Sequence, residues 1–358
     1  MNYKRGVAVS IIAVVFVSIL MGVVLFFSFS TKVSATSFTI LLPSQSEHIL
    51  YSYIWIAKEK GFFGEEGLDI EIALNDHTSI AEQVSLGTVP IGVMNIESLF
   101  QKENYANYIV PFDFFLYGSS GGSSYDTHLV VSKNSGISSV SDLKGKKIRT
   151  GFPPTIIALK KILNEAGLGM SDVNIINGGQ IPSHNVLDKI RSGELDAAIT
   201  YYPTMPVMIA SGDVEILKEN IFSEYVNHHV PQSFIGVNKN FAEEDPITVN
   251  KFLRAMEKAY AYGTDNPVEL ITSYAKLKTF SESSWILDDD LIQKGAALIP
   301  EMPIRDLDDE IFMVELGISE SIYDHLVEYQ DIMYDEGKID GKVNLQVLLV
   351  NYNAFINS

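Results

Sequence analysis

Residues 54–72 read IWIAKEKGFFGEEGLDIEI, and their pattern sets the fold class. Looking back from Glu59, Tyr51, Ile54 and Ala57 recur at near-helical spacing, so a helix is expected over 51–59 with Gly61 ending it. Looking forward, residues 68–74 alternate around acids, which is the pattern of a strand. A strand at 38–42 precedes the helix, and a helix over 79–86, stopped by Gly87, leads to a short strand at 91–94. Strand, helix, strand, helix, strand is an α/β alternation, which calls for mainly parallel sheets with helices on their faces.

Further along, residues 109–117 are β-rich and run into Gly118-Ser119-Ser120-Gly121-Gly122-Ser123-Ser124, after which 128–131 resumes an extended run. A side-chain-poor segment between strands suits a crossing between domains, or a place where backbone amides approach a ligand. Beyond it the pattern predicts a turn at 143–146, a strand at 147–150, a helix over 155–166 stopped by Gly167, a strand at 173–176, a helix over 186–191 and a strand at 197–200. Residues 86–92 and 192–198 share a helix, glycine, turn, strand grammar, which suggests two similarly built domains but is also common within any one α/β fold.

The chain is expected to return to the first domain at 233–237. Asp245 and Pro246 then make a helix start, and Val249, Phe252, Leu253, Met256, Ala259 and Tyr260 keep one apolar face until Gly263. That aromatic stripe reads as core packing. Helices at 267–277, 306–316 and 320–336 are expected to wrap the first domain. The organisation is therefore 1–35 as an export segment, 36–125 as the first part of lobe 1, 126–232 as lobe 2, and 233–358 as the return of lobe 1 with C-terminal helices.

At the N-terminus, Lys4 and Arg5 precede an uncharged apolar run over residues 7–29. As a helix it would be about 35 Å long, enough to cross a bilayer core of about 30 Å. Two readings stay open. An uncleaved anchor fits the length and the basic flank, while a cleaved signal peptide fits the small residues Val33-Ser34-Ala35. Either puts the body at the extracytoplasmic face of the membrane, or free outside it. There is no cysteine, so neither a lipid-modified thiol nor a disulfide is available.

The formal charge is −19; the first 35 residues hold Lys4, Arg5, Lys32 and no acid, so the remainder carries −22. Nucleic acid and anionic headgroups should be repelled. Acidic stretches such as Asp288-Asp289-Asp290 read as a solvated face rather than a metal site.

No nucleophile elbow, dinucleotide fingerprint or phosphate loop occurs. His228-His229, if extended, point to opposite faces and make a poor metal pair. The stronger signal lies in loops at the carboxyl ends of strands, where helix starts offer unsatisfied N–H groups. On that rule the candidate ligand residues are Ser44, Gln45 and His48 after the first strand; His77, Thr78 and Ser79 at a helix start; Asn95; Gly118, Ser119 and Ser120; Gly151, Phe152 and Thr155; and Tyr201 and Tyr202 after the last strand. Hydroxyls, amides and rings of this kind suit reversible capture of a small solute. No cofactor is called for.

Four strings then resemble one family in its own order: residues 54–72, SDLKGKKI at 141–148, SGELDAAITYYP at 192–203, and FAEEDPITVNKFLRAMEKAYAY at 241–262. The chain is similar to the nitrate/sulfonate/taurine branch of transporter solute-binding proteins, also described as SsuA- and THI5-like. The resemblance implies a periplasmic-binding-protein type II fold, two α/β lobes closing on a small ligand, and docking of a monomer on an ABC permease driven by a cytoplasmic ATPase. It implies ligand contacts at the same loops, including Tyr201, and no enzymatic activity. One departure bears on the ligand. Pro153 and Pro154 each remove a donor from a helix start that relatives build from small residues, which favours a neutral or heteroaromatic solute over a bare oxyanion. Two rival readings share the fold: a membrane-anchored sensory or scaffold module, and a suicide enzyme making the thiamine pyrimidine from its own histidine and pyridoxal phosphate. The enzyme's cysteine-rich motif is absent here.

Overall fold

The computed structural model describes residues 35–43, 49–100, 108–112, 127–150, 153–200, 204–226, 233–275, 288–298 and 320–345. In chain order these form β1 (Thr36–Pro43), α1 (Ile49–Glu59), a short α2 (Phe62–Glu65), β2 (Leu68–Asn75), α3 (His77–Ser85), β3 (Ile91–Asn95) and a 3-10 turn, Ile96–Phe100. Then come β4 (Tyr108–Phe112), β5 (His128–Ser132), β6 (Lys147–Thr150), α4 (Pro153–Glu165), β7 (Asn174–Asn177), α5 (Val186–Arg191), β8 (Ala197–Thr200), α6 (Thr204–Ser211), β9 (Val214–Lys218) and α7 (Ile221–Tyr225). The remainder is β10 (Ser233–Asn238), α8 (Lys239–Glu244), α9 (Pro246–Asp265), α10 (Pro267–Ala275), α11 (Asp289–Leu298) and α12 (Glu320–Asp335).

The strands make two five-stranded sheets, ordered β2-β1-β3-β10-β4 and β7-β6-β8-β5-β9. In the first, β1 runs parallel to β3 with Ile40 opposite Ile91, while β10 inserts antiparallel between β3 and β4. In the second, β6 is parallel to β7 and β8, and β5 is antiparallel to β8 and β9. Both sheets are therefore mixed.

The stretch that set the expectation folds as read. Gly61, at φ 79°, ends α1 in the left-handed region that only glycine enters without strain. The turn that follows puts Phe63 in the core, its ring stacked on Phe252 of α9 at 5.6 Å between centroids. Glu66 then accepts hydrogen bonds from Arg254 Nε and Lys258 Nζ, both at 2.9 Å. Partial burial raises the Glu66 pKa, but the bonds from Lys258 and Arg254 outweigh it and hold the carboxyl below its ordinary value. Helix α9 starts at Asp245, whose side chain accepts from the Thr248 amide at 3.0 Å. In β3, Gly92 permits α3 to lie close: a Cβ there would sit 2.6 Å from Ile80 Cγ2.

Two buried clusters fill the body, and each draws on both sheets. One joins Ile40, Leu42, Ile91 and Val93 to Val130 and Ala198, and the other joins Leu41 and Met94 to Leu129, Ile148 and Ile199. The period of two along the strands sends alternate residues to opposite faces. Helix α11 packs against both α10 and α6. Residues Ser37–Ser358 form one compact unit, distinct from Met1–Thr36.

Some expectations change. The region after β8 holds α6, β9 and α7, elements the sequence pattern left unassigned. Helix α12 does not wrap the first sheet alone: Tyr329 packs edge-on against Phe100 beyond β3, while Glu336 pairs with Lys160 of α4 at 2.7 Å. Asp288, Asp289 and Asp290 are exposed, as a solvated acidic face should be, and Asp288 in addition caps α11 by accepting from the Leu291 amide. Residues 113–126, the expected helix at 306–316, His228-His229 and the apolar run at 7–29 lie outside the described residues. Among the described residues no helix is long and apolar enough to cross a membrane.

Candidate functional site

In the first sheet, β1 ends at Pro43 and β3 at Asn95, with Ser233 opposite Asn95 on β10. In the second, Thr150 ends β6 and Thr200 ends β8. Because β5 runs the other way, its first residue, His128, pairs with Thr200 and joins the same edge. In sequence, β1, β6 and β8 are followed at these edges by residues 44–48, 151–152 and 201–203, which lie outside the described residues.

Seven proposed ligand residues fall in those stretches of sequence: Ser44, Gln45, His48, Gly151, Phe152, Tyr201 and Tyr202. They lie outside the described residues, as do Gly118, Ser119 and Ser120. Asn95 is the last residue of β3. His77 and Thr78 open α3, whose cap is Asp76. Here the structure changes the picture of the helix start. The Ser79 amide donates to Asp76 Oδ1 at 3.0 Å, and the Ser79 hydroxyl accepts from Gln83 Nε2 at 2.8 Å. Ser79 is thus engaged within its own helix, and a carboxylate already holds the position at which an anionic ligand would meet the helix dipole.

Thr155 is a second correction. It is fully buried, and its hydroxyl pairs with that of Thr150 at 2.7 Å. Its side chain ties the first turn of α4 to the end of β6 instead of facing a ligand.

Sequence reading missed three side chains at or near this edge. His128 is buried, and its Nδ1 accepts from the Asn220 amide at 3.0 Å. Burial, only partly opposed by a backbone bond at Thr127, pushes its pKa down to about 4. The ring is therefore neutral at pH 7, with Nδ1 as acceptor and the proton on Nε2. Arg149, also buried, donates from Nε to the Ile181 carbonyl at 3.1 Å and from Nη1 to the Ile199 carbonyl at 3.3 Å. Thr200 donates to Met208 Sδ at 3.4 Å. A charged residue beside Ile148 in an expected strand was the available signal for Arg149. His128 carried none, because the carboxyl-end rule overlooks antiparallel strands.

A cavity of about 370 Å³ lined by Ser132, Asn134, Arg191, Asp196 and Asp213 sits at the opposite edge, with Arg191 Nε held by Asp213 at 2.7 Å. It is remote from the strand ends just described.

A family model described as NMT1/THI5 like matches residues 49–270. The chain belongs to the NMT1/THI5-like family. One relative, a 4-amino-5-hydroxymethyl-2-methylpyrimidine phosphate synthase of Aspergillus parasiticus, is 27% identical over 240 residues, covering 63% of this chain and 66% of its own, just under two thirds. The periplasmic aliphatic sulphonate binding protein SsuA of Escherichia coli superposes at a TM-score of 0.60 with 16% identity, covering 88% of this chain and 92% of that one. The alkanesulfonate-binding protein SsuA of Xanthomonas axonopodis pv. citri, bound to MOPS, gives 0.57 with 15% identity over 86% and 96%. The fold of this NMT1/THI5-like chain is thus the α/β fold of periplasmic binding proteins, with mixed sheets.

Proposed function

We propose that this chain is the extracytoplasmic solute-binding component of an ABC importer, capturing a small solute between two lobes and passing it to a permease driven by a cytoplasmic ATPase. What supports the reading is the pair of mixed five-stranded sheets in a member of this family. The lobes of a type II arrangement would be residues 36–125 with 233–358, and 126–232. The segment before residue 36 would export the chain or hold it at the membrane. Ligand contacts would come from Ser44, Gln45, His48, His77, Thr78, Asn95, Gly118, Ser119, Ser120, Gly151, Phe152, Tyr201 and Tyr202. A neutral or heteroaromatic solute is preferred, because Asp76 caps α3 and Pro153 and Pro154 withdraw two donors from α4.

The synthase relative favours a second reading, formation of a pyrimidine phosphate. Incubation with pyridoxal phosphate separates the two: pyrimidine release supports synthesis, and an unreacted mixture supports binding.

Tyr201 tests the binding reading. Thermal shift across sulfonates, nitrate, pyrimidines and other small heteroaromatics selects a solute, and calorimetry then compares Tyr201→Ala with Tyr202→Ala. Loss of the Tyr201 ring should weaken binding at least about tenfold, or about 1.4 kcal/mol, in a folded protein. Unchanged affinity would remove Tyr201 from the site, and a screen led by nitrate would reverse the preference for a neutral solute.

A further inference from the structure

Glu97 stands two residues beyond Asn95, in the 3-10 turn that leaves β3. As a residue it is mostly buried, and its Oε1, like the Tyr329 hydroxyl, is shut off from solvent without a partner at good hydrogen-bond geometry. The two groups interact electrostatically across the contact between this turn and α12, and the Tyr329 ring packs against Phe100 of the same turn. A carboxyl shut away in this manner tolerates its neutral form far better than its charged one.

We propose that Glu97 is a proton-controlled positioning residue for the solute site: neutral, it stays seated against α12 and fixes the end of β3; ionised, it is driven towards water and loosens that seat. The consequence for the solute rests on the binding reading above, whereas the proton link does not. Burial pushes the Glu97 pKa up to about 7, against smaller downward pulls from its own backbone and from Tyr329. Burial, together with the neighbouring Glu97, in turn raises Tyr329 well above its ordinary value, so only Glu97 titrates near neutrality.

Among the described residues Tyr329 is the one ionisable side chain that acts on Glu97. Strand β3 has none, and Glu82 of the adjacent α3 is exposed. Of the acids on α12, Asp324, Glu328 and Asp335 are exposed and Asp331 pairs with Lys342, while Glu336, just past the helix end, pairs with Lys160. The sign follows. A carboxyl raised from 4.5 to about 7 adds stability that is complete below 4.5 and is lost as pH rises through about 7.

Hydrogen exchange in the full chain without solute tests the proposal, in peptides covering Ile96–Phe100 and Glu320–Asp335, corrected for intrinsic rates at about pH 5.5 and about pH 8.5. Protection in the wild type should fall at least about fivefold between the two, and Glu97→Gln should keep the acid-side protection at both. Tyr329→Phe, which retains the carboxyl, should still respond to pH. Flat wild-type protection overturns the proposal without any variant, and so does an equal fall in Glu97→Gln. Because no solute is present, either result stands apart from whether the chain captures one.

Discussion

Phe252→Ala is expected to lower the unfolding free energy by about 3–5 kcal/mol. The ring is fully buried on α9 and lies nearly flat on Phe63, 13° from parallel. Removing it forfeits the transfer of a whole aromatic side chain and leaves a hollow. Neighbours on two sides cannot fill it, since α2 is tied to α9 by the Glu65 and Glu66 ion pairs with Lys258 and Arg254. A domain's total margin is only about 5–15 kcal/mol, so the variant should sit near the edge of folding. Urea unfolding monitored by circular dichroism measures it, and a midpoint shift equivalent to less than about 1 kcal/mol would mean that the stack is not a structural tie.

Gly295→Ala carries the second large effect, and here the expected sign is informative. In an unobstructed helix this change gains about 1 kcal/mol. At Gly295 in α11, however, a Cβ would lie 3.0 Å from Val207 Cα, 3.1 Å from Val207 N and 2.9 Å from Val207 Cγ2 of α6. Two of those three atoms are backbone and cannot rotate aside, so the helices must separate. A net loss of about 1–3 kcal/mol is expected. A rise in melting temperature would show that α11 approaches α6 less closely than the structure has it.

What could be read in the sequence follows from what side chains report. Strands β6 and β8 and helix α5 fall where apolar runs and glycine stops put them, because β8 is buried throughout and α5 buries Val186, Leu187 and Ile190, and the pattern records it. Helix α6 escaped because TMPVMIAS is apolar almost all round and buried through Thr204, Met205, Pro206, Val207 and Met208. Without a polar face a helix has no period to detect. Helix α12 was recognised as a helix, but not its contacts, since Phe100 and Lys160 are brought to it only by the fold.

The site was legible as a set of places more than as a set of roles. Asn95 and the start of α3 stand at strand and helix ends as the α/β rule requires. Thr155 was misread because a hydroxyl at a helix start looks the same in sequence whether it faces a ligand or, as here, Thr150. His128 reaches the second sheet's edge by pairing with Thr200 across 72 positions, and Arg149 is held there by donating to the Ile199 carbonyl across 50, which no local pattern encodes.

The most direct measurement is a calorimetric titration of the full chain with the solute selected by thermal shift, the solute being recovered afterwards and identified by mass spectrometry. Capture without chemistry predicts saturable heat at one site and a solute returned unchanged. A solute returned chemically altered, or a pyrimidine phosphate released in its place, would contradict it.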